Sequence, residues 1–306
     1  MSRRIRRAMS AVIVGISIAF GLVMTSCGKS GEERGMTEKT GEAGGVETWK
    51  YSGAFEMQYA KWGKGKKTLI LLPGIYTKSL MGIAEGAASY YGIFDEEYTT
   101  YMFDRVEQPG EDESIEDIAR ETIEVIEKIG IEKASIVGIS MGGMIAQAIG
   151  VERPEIVESM VLGSTASKAR EKGQKVIGEW VELAEKGDEE ALIESFMKSI
   201  YSEATIEKYG ESIRQSAGGA SVAEMRRMAT FGRAVGKFDI KGKLSKAKWR
   251  TLVIGAGEDK IFGREEAEET ARLIGGEAYI YEGYGHAVYD EAGDYVERAY
   301  TFVAGK

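Results

Sequence analysis

Short apolar runs recur along this chain with helix-length stretches between them, and that alternation leaves few folds open. Residues 68–72, 100–103, 134–137, 159–162, 251–254 and 278–281 each read as a strand covered on both faces. An earlier segment, 54–59, alternates apolar with polar residues as a half-buried strand does. Residues 115–129 place isoleucine and valine at near-helical spacing, and 141–150 form a helix of small and apolar residues. Strand, helix, strand in this order predicts an α/β protein with a doubly wound, mostly parallel sheet and right-handed crossovers.

The alternation breaks from 168 to about 247. No strand pattern stands there, and segments 178–185, 189–200, 204–215 and 221–235 read as helices. They either form a cap or cover one face of the sheet. The folded part is thus expected as a core of 49–167 and 249–306 with a helical insertion at 168–248.

The N-terminus is of another kind. Arg3, Arg4, Arg6 and Arg7 precede an uncharged apolar run over 8–24, the pattern of a secretory signal. The only cysteine, Cys27, follows Val23-Met24-Thr25-Ser26. This resembles a bacterial lipoprotein signal, in which that cysteine becomes the lipidated first residue, although leucine is usual where Met24 stands. The expectation is a signal peptide over 1–26, lipid on Cys27, and an exported protein anchored at the extracytoplasmic face of the cell membrane. An ordinary signal peptide or an uncleaved anchor reads similarly, but the run is shorter than the ~20 residues of a spanning helix. Residues 28–47 are rich in Gly, Glu, Lys, Ser and Thr with no aromatic, so 27–48 is expected to be a flexible tether.

The chain carries a formal net charge of −9, and four of its basic residues stand in the first seven. So acidic a body argues against nucleic acid as a partner and against an anionic membrane surface, leaving the lipid as the membrane contact. One cysteine and one histidine exclude an intrachain disulfide and argue against a metal site built on those ligands. No cofactor is expected.

Ser140 stands in Gly138-Ile139-Ser140-Met141-Gly142, directly between an expected strand and an expected helix. The glycines permit the close backbone approach that a tight strand-to-helix turn requires. Asp259 follows the 251–254 run, and His286, the single histidine, stands in a Gly-flanked loop after the last expected strand. All three fall at the same carboxyl edge of a parallel sheet. There His286 would take the Ser140 proton and Asp259 would orient the ring, with Glu258 beside it as the rival acid. The backbone N–H groups of Met141 and Ile75 are the expected donors to an oxyanion.

Ser140, Asp259 and His286 in that order, with Leu71-Leu72-Pro73-Gly74 upstream and Phe103-Asp104-Arg105 between, resemble the α/β-hydrolase superfamily in its capped, esterase-like and lactonase-like branch. The similarity covers 51–303. The family often has His-Gly where Pro73-Gly74 stands, and a Gly-rich turn where Val106-Glu107-Gln108-Pro109 stands. The resemblance implies a cap inserted between strands 6 and 7, with Trp180, Phe196, Met197, Tyr201, Met225, Met228 and Phe231 as its large apolar residues. It implies a serine hydrolase acting on a carboxylic ester of a small apolar substrate. Aminopeptidases and cofactor-free haloperoxidases share the triad, and a non-catalytic substrate-binding lipoprotein on the same scaffold is the remaining alternative.

Overall fold

A computed structural model describes residues 35–244 and 249–306. The expected signal peptide and Cys27 lie outside the described residues. Among those described, nine strands form one sheet: β1 (Met36–Ala43), β2 (Val46–Ser52), β3 (Glu56–Gly63), β4 (Lys67–Leu72), β5 (Tyr98–Phe103), β6 (Ala134–Ile139), β7 (Val157–Gly163), β8 (Arg250–Ala256) and β9 (Glu277–Tyr281). Their spatial order is β1-β2-β3-β5-β4-β6-β7-β8-β9. Neighbours from β5 onward pair parallel, while β1, β2, β3 and β5 pair antiparallel.

The continuous apolar runs have a direct structural cause. In β4, Ile70 and Leu72 enter one core while Leu69 and Leu71 enter another, because successive strand side chains point to opposite faces. Helices cover both faces. They are α1 (Ala84–Tyr90), α2 (Ile115–Lys128), α3 (Met141–Glu152), α4 (Glu171–Lys186), α5 (Glu189–Ile200), α6 (Glu203–Ala217), α7 (Val222–Lys237), α8 (Lys241–Leu244), α9 (Arg264–Ile274), α10 (Val288–Glu291) and α11 (Tyr295–Ala304). α2 begins where Ser114 and Asp117 close a capping box, and it buries Ile115, Ile118, Ala119, Ile123 and Ile126 along one stripe.

Helices α4 to α7 occupy the stretch expected to be helical. Gly187 in the left-handed region ends α4, and the side chains of Asp188, Ser202 and Ser221 cap the next three. Gly232 of α7 lies against α4 so closely that a Cβ would stand 2.6 Å from a Val181 methyl.

The structure corrects the sequence reading at two points, the tether and the last strand. The stretch expected to be a tether contains β1 and the start of β2, an antiparallel hairpin turning at Gly44 and Gly45, both at positive φ. β1 buries little of its own surface. Its order comes from the backbone ladder to β2, whose Tyr51 is buried, and a compositional argument does not count such a partner. Because β1 adds a strand ahead of the others, the insertion expected between strands 6 and 7 falls between β7 and β8 in the present numbering. β9 is an edge strand with Glu277 and Ala278 exposed, rather than covered on both faces.

Candidate active site

The end of β6 sets the geometry of the site. Ser140 follows it as the residue before α3 with φ 52°, a left-handed conformation that costs a non-glycine residue strain energy. The surroundings hold it there. Ser140 N–H donates to Gly163 O at 2.8 Å, and Ser140 O accepts from Thr165 Oγ1 at 2.7 Å and from Gly143 N–H at 2.9 Å. A Cβ on Gly142 would lie 1.8 Å from Leu72 O, and one on Gly138 would lie 2.6 Å from Gly142 O. Gly142 is therefore required for α3 to approach β4, and Gly138 for the end of β6 to approach α3.

The loops after β8 and β9 complete the group. Asp259 Oδ1 accepts the N–H groups of Ile261 and Phe262 at 2.7 and 3.0 Å, and Oδ2 lies 2.8 Å from His286 Nδ1. His286 Nε2 stands 3.0 Å from Ser140 Oγ. A carboxylate only accepts hydrogen bonds, so Nδ1 carries the proton and Nε2 offers its lone pair to the Ser140 hydroxyl. Asp259 and His286 are 1% and 3% exposed and Ser140 is 9% exposed, so the serine is the member a substrate reaches first. Glu258, the neighbouring acid, is exposed. The structure thus brings together the three residues that the sequence singled out.

The Met141 amide follows this serine directly, and the loop that carries Ile75 passes beside it. Met141 is the first residue of α3, where N–H groups lack intrahelical acceptors. Gly74 lies so close that a Cβ there would be 3.3 Å from Ser140 Cβ. Among the described residues neither amide has a hydrogen-bond acceptor. Arg105 fixes the loop from behind: its Nη2 donates to the carbonyls of Pro73 and Gly74, the latter at 3.1 Å. In a trans peptide the carbonyl and the next N–H point opposite ways, so holding Gly74 O turns the Ile75 N–H away from Arg105. Burial pushes the Arg105 guanidinium down to about 10, with Asp104 opposing that shift and Arg227 adding to it. It remains a cation at neutral pH.

Four positioning residues were not singled out from sequence. Ser164 Oγ donates to His286 O at 2.7 Å, and Thr165 holds the serine turn. Arg105 stood in the sequence only as part of a resemblance. Arg227 of α7 donates to Asp104 Oδ1 at 3.0 Å and to Arg105 O at 2.7 Å, tying the inserted helices to the residues that hold the Pro73–Gly74 turn. The signal available for Ser164 and Thr165 was a polar pair directly after a buried strand.

A cavity of about 250 Å³ reaches Gly74, Ile75 and Ile139 beside Ser140. Of the large apolar residues expected in the inserted helices, Phe196, Met197, Tyr201 and Met228 line it. Trp180, Met225 and Phe231 are buried away from it. Among the described residues no three His, Cys, Asp or Glu side chains gather as a metal site requires.

The family model for the alpha/beta hydrolase fold matches residues 67–293. The chain belongs to that family. A solved alpha/beta hydrolase enzyme from a Medee basin deep-sea metagenome library superposes with a TM-score of 0.74 at 18% identity, covering 83% of this chain and 96% of that one. The enol-lactonase of Burkholderia xenovorans superposes with a TM-score of 0.72 at 15% identity, covering 82% and 97%. In sequence, the chain is 24% identical over 152 residues to a putative carbamate hydrolase RutD of Rhizobium rhizogenes. That match spans 47% of this chain and 56% of the relative, little more than half its length.

Proposed function

We propose that this α/β-fold hydrolase is a serine hydrolase that cleaves the carboxylic ester of a small, largely apolar substrate through an acyl-enzyme on Ser140. One observation carries the reading: His286 lies 3.0 Å from Ser140 Oγ through Nε2 and 2.8 Å from Asp259 through Nδ1. Ser140 Oγ attacks the ester carbonyl carbon as its proton passes to His286 Nε2. The oxyanion rests against the N–H groups of Ile75 and Met141, each worth ~3 kcal/mol in such sites. The carbon–oxygen bond to the alcohol breaks, and the alcohol leaves with the proton from His286. Water then attacks the acyl-enzyme, gives its proton to His286, and the carboxylic acid departs as Ser140 recovers its hydrogen.

The mainly apolar lining favours a substrate with a hydrocarbon body. A carbamate, the substrate class in the name of the sequence relatives, presents a carbonyl that the same addition would attack. Aminopeptidase and cofactor-free haloperoxidase activities use the same three residues and remain the alternatives, with non-catalytic binding as the third. A fluorophosphonate probe with a p-nitrophenyl ester chain-length series tests the proposal. Labelling and turnover should both vanish in Ser140→Ala, and unchanged turnover with a normal melting curve would sink it. His286→Ala should lose most of the activity, since no second histidine exists.

The proposal extends to the cell: the protein is exported and held at the membrane by lipid on Cys27. Cys27→Ser should abolish acyl labelling, and a soluble wild-type protein starting elsewhere would refute the anchoring.

A further inference from the structure

The cavity beside Ser140 is walled mainly by hydrocarbon, yet it holds one acid. Among the described residues, Asp290, in α10, is the only side chain of its lining that is ionised at neutral pH; the other polar ones are hydroxyl-bearing, chiefly tyrosines. Its place is fixed by the loop that carries His286, since Asp290 N–H donates to Ala287 O at 2.8 Å, one helical turn past the base. Its carboxylate accepts a single hydrogen bond, from Tyr201 Oη to Oδ2 at 3.1 Å. Among the described residues no lysine or arginine pairs with it, and Oδ1 has no donor.

A carboxylate so placed is under-compensated. Burial pushes it up to about 6, the Tyr201 hydroxyl opposing and Glu291 adding to that shift. Above that pH the cavity contains a negative charge with one neutral donor, which a hydrocarbon substrate would desolvate further at a cost of several kcal/mol. Tyr76, Tyr90, Tyr91, Tyr201 and Tyr289 line the same space, and the negative faces of aromatic rings attract cations. A carboxylate together with tyrosines in an otherwise apolar cavity is the chemistry that recognises an organic ammonium. It also repels anionic substrates.

We propose that Asp290 is the specificity-determining residue of this cavity and selects substrates that carry an alkylammonium group remote from the bond attacked by Ser140. This rests on the serine-hydrolase reading above and narrows it to amine-bearing esters. The ammonium would donate to Oδ1 and complete the charge balance, while the carbon chain between it and the carbonyl lies along the apolar wall.

Calorimetric binding to full-length Ser140→Ala protein tests this without turnover, at about pH 8, where the carboxylate is ionised and an alkylamine protonated. The probes are hexylammonium, 1-hexanol and hexanoate. Hexylammonium should bind roughly tenfold or more tighter than either other probe, and adding Asp290→Asn should remove that preference while leaving 1-hexanol within about twofold. Equal hexylammonium affinity with and without the Asp290→Asn substitution, or hexanoate binding as tightly as hexylammonium, would overturn the proposal. Should Asp290→Asn fail to fold, the hexylammonium-to-hexanoate ratio with Asp290 in place decides alone. Fluorophosphonate labelling of unaltered protein reports the nucleophile separately, so the two readings fail independently.

Discussion

Ser164 Oγ donates to the main-chain carbonyl of His286 across a distance of 2.7 Å, joining the end of β7 to the loop that carries the imidazole. Ser164 is itself held at φ 45°, and its N–H donates to Ile254 O at 2.9 Å. The bond is buried, so its loss leaves an unpaired carbonyl at a cost of about 1–3 kcal/mol. Ser164→Ala should lower kcat for an ester roughly fivefold to thirtyfold with KM little changed, as expected when a base drifts from its serine. Steady-state kinetics check it, and an unaltered kcat would mean that the loop is held elsewhere.

Arg105 holds the Pro73 and Gly74 carbonyls, and in the proposed mechanism it would act on the oxyanion through that loop rather than by touching substrate. One nitrogen, Nη2, serves both carbonyls, and a lysine keeps the charge but loses the rigid guanidinium plane that sets a donor at that place. Arg105→Lys should therefore cut kcat roughly tenfold to a hundredfold, less than the hundredfold to thousandfold seen when an oxyanion donor is lost outright, and slow fluorophosphonate labelling in parallel. A raised KM with kcat intact would point instead to a distorted cavity.

Two glycines offer a matched contrast. Gly142→Ala forces a Cβ to within 1.8 Å of Leu72 O, backbone against backbone, and should cost ~3 kcal/mol or more or prevent folding. Gly178, inside α4, has nothing within 4 Å of a Cβ built there, so Gly178→Ala should stabilise by about 0.5–1 kcal/mol. Chemical denaturation of both variants reads the difference, and similar effects at the two positions would contradict the close approach.

The stability of α2 should depend on pH. Glu121 is pushed up to about 8, chiefly by burial and then by Glu113, Asp117 and Glu124, and its Oε2 is buried without a partner. Its folded pKa lies above the ordinary 4.5, so the folded state holds the proton that the unfolded chain releases. Stability is then lost as pH rises from about 4.5 to 8. Glu121→Gln should leave the melting temperature unchanged near pH 4 and raise it above pH 8. Because the side chain is partly solvated, the gain should be about 1–2 kcal/mol rather than the full shift. A gain of equal size at both pH values would assign it to packing.

The features legible in the sequence were those set by neighbours along the chain. Apolar runs marked β4 to β8 because each buries both faces, and the lack of any strand pattern marked the stretch that holds α4 to α7, whose caps at Asp188, Ser202 and Ser221 the structure supplies. Ser140, Asp259 and His286 were legible as residue types at the carboxyl ends of strands, and one histidine left no choice of base. The β1–β2 hairpin was not legible from composition, since β1 is polar and ordered by hydrogen bonds to its partner, although Gly44-Gly45 was a turn signal. Only the tertiary structure decided that Arg105 reaches back to Pro73 and Gly74, that Arg227 joins α7 to Asp104, that Ser164 holds His286, and that Asp290 opens into the cavity. Those contacts link residues tens to more than a hundred positions apart, or depend on which way a loop side chain turns. No local periodicity records either, because such contacts come from sheet order and helix packing, not from the propensities of adjacent residues.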